Sequence, residues 1–161
     1  MASSPADAPG WRRRLPLRQF LEVVERAPLV SIDLIVRDGA GRVLLGRRSN
    51  RPALGWWFVP GGAIRKDETL DAAFAWIVRD ELGLEARREQ ARFLGVYEHF
   101  YDDNAGGAPG FGTHYVVLGH ELRVDSLPQL PPEQHNEYRW FGVDELLHDA
   151  GVHDFTKAYF R

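Results

Sequence analysis

Residues 60–83 constrain this chain more than any other stretch. From 69 to 82 the apolar residues Leu70, Ala73, Phe74, Ile77, Val78 and Leu82 recur at intervals of three and four, and Gly83 follows as a stop signal. That spacing predicts a helix with one apolar face. Just ahead of it stand Pro60, Gly61 and Gly62, and a glycine pair brings backbone amides and carbonyls close to any phosphate or metal placed there. The apolar face needs a surface to cover it, and the flanking sequence supplies strands.

Residues 29–37 cluster Val, Ile and Leu as a buried strand does, and Asp38-Gly39-Ala40-Gly41 is turn chemistry leading into a second strand at 42–48. A short third strand is expected at 56–59. Two long strands follow at 92–101 and 113–124, paired antiparallel across a Gly- and Pro-rich loop. A short amphipathic helix opens the domain at 17–25. Residues 126–136 hold Pro128, Pro131 and Pro132 and read as irregular, before a strand at 137–141, a helix at 143–148 and another at the C-terminus. Strands and helices in this order predict an α/β fold, a mixed β-sheet sandwiched between α-helices. Residues 1–16 read as a flexible tail and 17–161 as one domain; the basic cluster Trp11, Arg12, Arg13 and Arg14 is assigned to a solvated terminus.

The 161 residues are enough for one hydrophobic core. Cysteine is absent, which excludes a thiol nucleophile and a thiolate zinc site and suits a reducing cytoplasm. With 20 basic and 23 acidic residues, net charge −3, the chain makes no electrostatic case for nucleic acid or for a membrane surface. No apolar run approaches the roughly 20 residues of a membrane span. The expected partner is a small molecule.

Glu81 lies eleven residues after Leu70, nearly three helical turns at about 100° per residue, so it falls on the stripe expected to be buried. A buried carboxylate needs a cation or a hydrogen-bond donor. Taken alone, Glu81 is better read as bending to solvent or pairing with an arginine at the helix end. Glu68 near the helix start, the adjacent Asp80 and the glycine pair favour an oxygen-liganded cation, and magnesium fits such donors.

Gly62, five intervening residues, Glu68, and then Asp80-Glu81-Leu82-Gly83-Leu84 resemble the Nudix box. The usual box carries Arg-Glu where this chain has Trp76 and Ile77, and a glutamate where it has Asp80. A wider set of segments is similar to the GDP-mannose mannosyl hydrolase family: Pro28-Leu29-Val30-Ser31, Trp57-Phe58-Val59-Pro60-Gly61-Gly62, His99-Phe100-Tyr101-Asp102-Asp103-Asn104, Thr113-His114-Tyr115 and Glu133-Gln134-His135. This resemblance runs from about Leu17 nearly to the C-terminus.

What it implies is hydrolysis of a nucleotide sugar by water attack at the anomeric carbon, with inversion and with GDP as the intact leaving group. His135 matches the general base, placed in the Pro-rich loop, where a mobile segment could close over substrate. Arg48 matches the arginine that meets developing negative charge. His99 and Tyr115 match donors near the diphosphate, although each also suits a satisfied core position. Asp33 matches a position near the sugar, and an unpaired buried aspartate being costly, Arg48 is its expected partner. The implied metal is Mg2+, with Mn2+ as an alternative, held by the Gly61 carbonyl, Glu81 and Gln134. The resemblance also implies a homodimer to which the 11–20 region contributes.

Ala63 and Trp76 stand where the family can carry arginines, and Arg65, Lys66 and Arg79 are candidate substitutes. Two other readings stay open: a conventional pyrophosphohydrolase that cuts at phosphorus, against which Ile77 speaks, and a non-catalytic nucleotide-sugar sensor.

Overall fold

The computed structural model describes residues 14–127, 130 and 135–161, the last group with its first two side chains excepted. Four helices are named here, α1 (Leu17–Arg26), α2 (Leu70–Leu82), α3 (Val143–His148) and α4 (Asp154–Lys157), the last running into a 3-10 turn at Ala158–Phe160. The strands are β1 (Leu29–Arg37), β2 (Val43–Arg48), β3 (Trp57–Phe58), β4 (Gly61–Ala63), β5 (Arg92–Tyr101), β6 (Thr113–Arg123) and β7 (His135–Phe141). Among the described residues they form one seven-stranded sheet, with path β3-β2-β1-β6-β5, β4 on β1 and β7 on β2. The pairing of β1 with β6 is parallel and that of β5 with β6 antiparallel, so the sheet is mixed.

β1 explains the two-sided core. Successive strand residues point to opposite faces, and Ile32, Leu34 and Val36 pack with Phe74, Ile77, Val78 and Leu82 of α2. Ile35 points the other way, into a second cluster with Val43, Leu45, Phe58, Phe141, Leu146 and Val152. Asp33 shares the parity of Ile35 and so faces the layer that holds the C-terminal helices. Thr69 caps α2 by accepting a hydrogen bond from the Ala72 amide at 3.2 Å, and Gly83 ends it in the left-handed conformation at φ 64°. Phe74 is fully buried, worth about 3 kcal/mol of transfer energy at the upper end for such a side chain.

Several expectations need correction. Leu70 is 40% exposed, so the buried stripe starts one turn later, at Ala73. Residues 61–63 form a strand that sequence pattern did not suggest, and Arg88–Gln90 is a short 3-10 turn. His135, expected in a loop, has its backbone in β7, where it pairs with Arg48 at a register shift; its side chain and all of Gln134 lie outside the described residues. So do residues 1–13 of the expected tail. No helix among the described residues is long and apolar enough to cross a membrane.

Candidate active site

Asp33 is the centre of the arrangement. In register it stands opposite Gly61 of β4 on one side and Gly119 of β6 on the other. Neither partner could carry a side chain without disturbance. A Cβ on Gly61 would lie 2.5 Å from Asp33 Oδ1 and 2.6 Å from the Ile32 carbonyl oxygen, and one on Gly119 would lie 3.1 Å from the Tyr97 ring and 3.3 Å from that of Tyr159. Two glycines thus clear a slot in the sheet for one carboxylate and for the ring that reaches it.

Tyr159 fills that opening. Its hydroxyl donates to Asp33 Oδ2 at 2.5 Å and stands 3.5 Å from His99 Nε2. Phe155 lies one turn earlier in the same segment and stacks on His99, with ring centroids 4.4 Å apart and planes 2° from parallel. Asp33, His99 and Tyr159 therefore form one hydrogen-bonded line under the sheet. Arg48, the anticipated partner of Asp33, acts on it only through its charge; its Nε donates to the Pro52 carbonyl at 2.8 Å.

Electrostatics set the protonation states. Burial raises the Asp33 carboxyl to about 7, against the lowering effects of the Tyr159 hydrogen bond and the Arg48 charge. Glu81 is 3% exposed, and burial raises it to about 8; Arg48 and Arg14 pull it down while Asp80 and Asp33 push it up. His99 is lowered to about 4 by burial and then by His153, so its imidazole is neutral at pH 7 and has one N–H to give. Burial likewise raises Tyr101, Tyr115 and Tyr159, keeping all three phenols protonated. The charge of Arg48 reaches Asp33, Glu81, Tyr101, Tyr115 and His153, so one guanidinium contributes to the field at each of these groups.

The structure thus gathers Asp33, Arg48, Gly61, Glu81 and Tyr115 from separate elements, and links His99 to them through Tyr159. His99 and Tyr115 are direct register partners across β5 and β6. Glu68 instead caps its own loop, accepting from the Arg65 amide at 2.8 Å, and Asp80 is exposed. Of the basic residues considered as substitutes, Lys66 pairs with Asp67 at 3.0 Å and is 89% exposed. Arg79 pairs with Glu85 at 3.0 Å and lies over Trp76. Arg65 differs, because its charge reaches Tyr115. Sequence reasoning missed Tyr159, Phe155 and the influence of Arg14; the spacing of four between Phe155 and Tyr159 was the available signal.

Comparison with known proteins follows the same outline. The NUDIX domain model matches residues 27–160. The chain is 37% identical over 147 residues to the low-salt glycan biosynthesis protein Agl8 of Haloferax volcanii, covering 91% of this chain and 88% of that one. It is 27% identical over 135 residues to an ADP-ribose pyrophosphatase of Methanocaldococcus jannaschii, covering 83% and 74%. Among solved structures, a MutT Nudix hydrolase from Burkholderia pseudomallei superposes with a TM-score of 0.66 at 26% identity, covering 83% of this chain and 96% of that one. A family match over residues 27–160, joined to a relative 37% identical over most of both chains, means that this chain belongs to the Nudix hydrolase family.

Proposed function

We propose that this Nudix hydrolase acts on GDP-mannose, with GDP-glucose as an alternative substrate, releasing GDP and the free sugar. The observation that carries the reading is on α2. Ile77 is 2% exposed and buried in the core where the usual box has a glutamate, while Glu81 alone of the Asp80-Glu81 pair turns inward. Among the described residues no three His, Asp or Glu side chains gather into a metal cluster. A helix with one inward carboxylate suits a single cation beside the diphosphate better than a multi-metal attack on phosphorus. The kinship with a glycan biosynthesis protein agrees with a sugar-bearing nucleotide.

The donor set fits a hard divalent ion. Glu81 and Asp33 both sit above the ordinary carboxyl range because burial outweighs the positive charge nearby, which is the condition a bound dication relieves. Glu81, the Gly61 carbonyl and Gln134 would hold Mg2+, or Mn2+ in its place. When bound, the ion neutralises charge on the diphosphate leaving group.

The protein's own residues account for the rest. His135 removes a proton from water as the water oxygen bonds to the anomeric carbon on the face opposite the leaving group. The bond from that carbon to the β-phosphate oxygen breaks, its electron pair stays with GDP, and the sugar configuration inverts. Arg48 faces the charge that develops on the diphosphate. Tyr115 and neutral His99 supply hydrogen-bond donors, and Asp33, oriented by Tyr159, accepts from a sugar hydroxyl. The active form in this reading is a homodimer built from a single domain, residues 17–161.

Hydrolysis in oxygen-18 water tests the bond cleaved. Label in mannose and none in GDP is the expected result; label in a phosphate product would overturn it. The similarity to an ADP-ribose pyrophosphatase favours the second reading, attack on phosphorus, and the same experiment separates the two.

A further inference from the structure

Outside the line of Asp33, Tyr159 and His99, an open cavity of about 360 Å³ lies between the loop that follows β2 and the start of the loop after β5, lined by residues that include Arg51, Trp56, Tyr101, Asp102, Asp103 and His153. We infer that this cavity is the hexose subsite, with Trp56 as the platform for the sugar ring and the Arg51–Asp103 ion pair as the reader of its hydroxyls. The inference rests on the nucleotide-sugar reading above and extends it to residues that neither the box nor the site around Asp33 includes.

Location is the first argument. The cavity shares Tyr101 with the centre, since that phenol feels the charges of both Asp33 and Arg48. The Pro52 carbonyl that anchors Arg48 Nε belongs to the same loop as Arg51. A diphosphate held beside Arg48 would therefore present its attached group to this opening.

Chemistry is the second. Trp56 is 41% exposed, yet it is braced edge-on by His153, with centroids 5.2 Å apart and planes at 78°. A large aromatic side chain that lines the cavity, part-exposed and braced by a neighbouring ring, suits a flat apolar surface at little entropic cost. Arg51 Nη1 meets Asp103 Oδ2 at 3.0 Å, placing donors beside acceptors, as discrimination among hydroxyl positions requires. The carboxylates of Asp102 and Asp103 also repel phosphate from the cavity. A neutral, hydroxyl-rich ring fits this lining, and a diphosphate does not. The size agrees, since about 300 Å³ is the lower end for small-molecule pockets.

The main rival occupant is the nucleobase, because an aromatic platform beside a carboxylate can also take a guanine. Equilibrium binding of GDP and of GDP-mannose in the presence of Mg2+ distinguishes the two. The 161-residue chain carrying His135→Gln, to suppress turnover, is compared with and without Trp56→Ala, and separately with and without Asp103→Asn. A hexose subsite predicts that each change weakens GDP-mannose by about tenfold, equivalent to 1.4 kcal/mol, and leaves GDP within about twofold. Trp56→Phe should restore most of the difference. Equal losses for GDP and GDP-mannose would assign the cavity to the base and overturn the proposal, as would no loss for either ligand. Because the comparison reads affinity and not products, it stays independent of the oxygen-18 experiment: label in phosphate sinks the parent reading, whereas unchanged affinities sink only the subsite.

Discussion

Tyr159 donates its hydroxyl proton to Asp33 across 126 positions of sequence, with the two oxygens 2.5 Å apart. The bond ties the last turn of the chain to the middle of its first strand. Without it the buried carboxylate would keep only the more distant charge of Arg48 to offset its desolvation. Tyr159→Phe removes the donor and little else. The expected result is a loss of about 1.5–3 kcal/mol, the range for hydrogen bonds to charged groups, seen as a lower Tm and a reduced kcat for GDP-mannose. Unchanged values of both would mean that the hydroxyl is idle.

Gly61→Ala tests the slot from the other side. The new Cβ would press on a backbone atom, the Ile32 carbonyl oxygen at 2.6 Å, as well as on Asp33 Oδ1, and no rotamer change relieves a backbone contact. Overpacking of this kind costs about 1–3 kcal/mol, and β4 must move away from β1. Denaturant unfolding should show a lower midpoint with an unchanged slope. A variant as stable as the parent would show that the strand shifts freely.

The raised carboxyls make the metal-free protein sensitive to pH. In the unfolded chain Asp33 and Glu81 ionise near 3.8 and 4.5, but in the fold only near about 7 and about 8. Between those limits the native state holds protons that the unfolded state has released, while below 6.5 His99, His120 and His153, lowered by burial, act in the opposite sense, so stability must decline as pH rises from about 6.5 to about 8. Thermal scans without divalent ions should give a falling Tm across that window. Added Mg2+ should raise Tm most at the alkaline end, because the ion takes the place of the protons. A flat profile would contradict the burial assigned to these groups.

Glu81→Gln keeps the shape and removes the charge. The variant should lose much of that decline with pH and nearly all of the stabilisation by Mg2+, along with activity. Calorimetric titration with the ion gives a direct reading, and wild-type metal affinity in Glu81→Gln would place the cation elsewhere.

Activity of the wild-type protein should rise with pH as the imidazole of His135 loses its proton, and His135→Gln should reduce kcat by about 10²–10⁴, the usual range for a general base. An unchanged rate in that variant would remove His135 from the mechanism.

The long elements were legible from the sequence because they carry a period. The stripe Ala73, Phe74, Ile77, Val78 and Leu82 names a helix, and its continuation to Glu81 announced a buried acid, which the fold contains at 3% exposure. β4 escaped notice because Gly61, Gly62 and Ala63 have almost no side chains on which a period could be seen. The backbone of His135 joins β7 despite the prolines before it, since strand pairing with Arg48 is a long-range choice.

Local pattern alone therefore determined the long helices and strands and the apolar face of α2 from Ala73 onward, because those preferences act over a few neighbouring residues. The tertiary structure decided which polar groups meet. Asp33 could have been assigned to Arg48 on charge, but register set it between Gly61 and Gly119, and the space left by two absent side chains admitted Tyr159. Such a contact depends on the relative placement of three strands and a C-terminal helix, and no spacing along the chain encodes it.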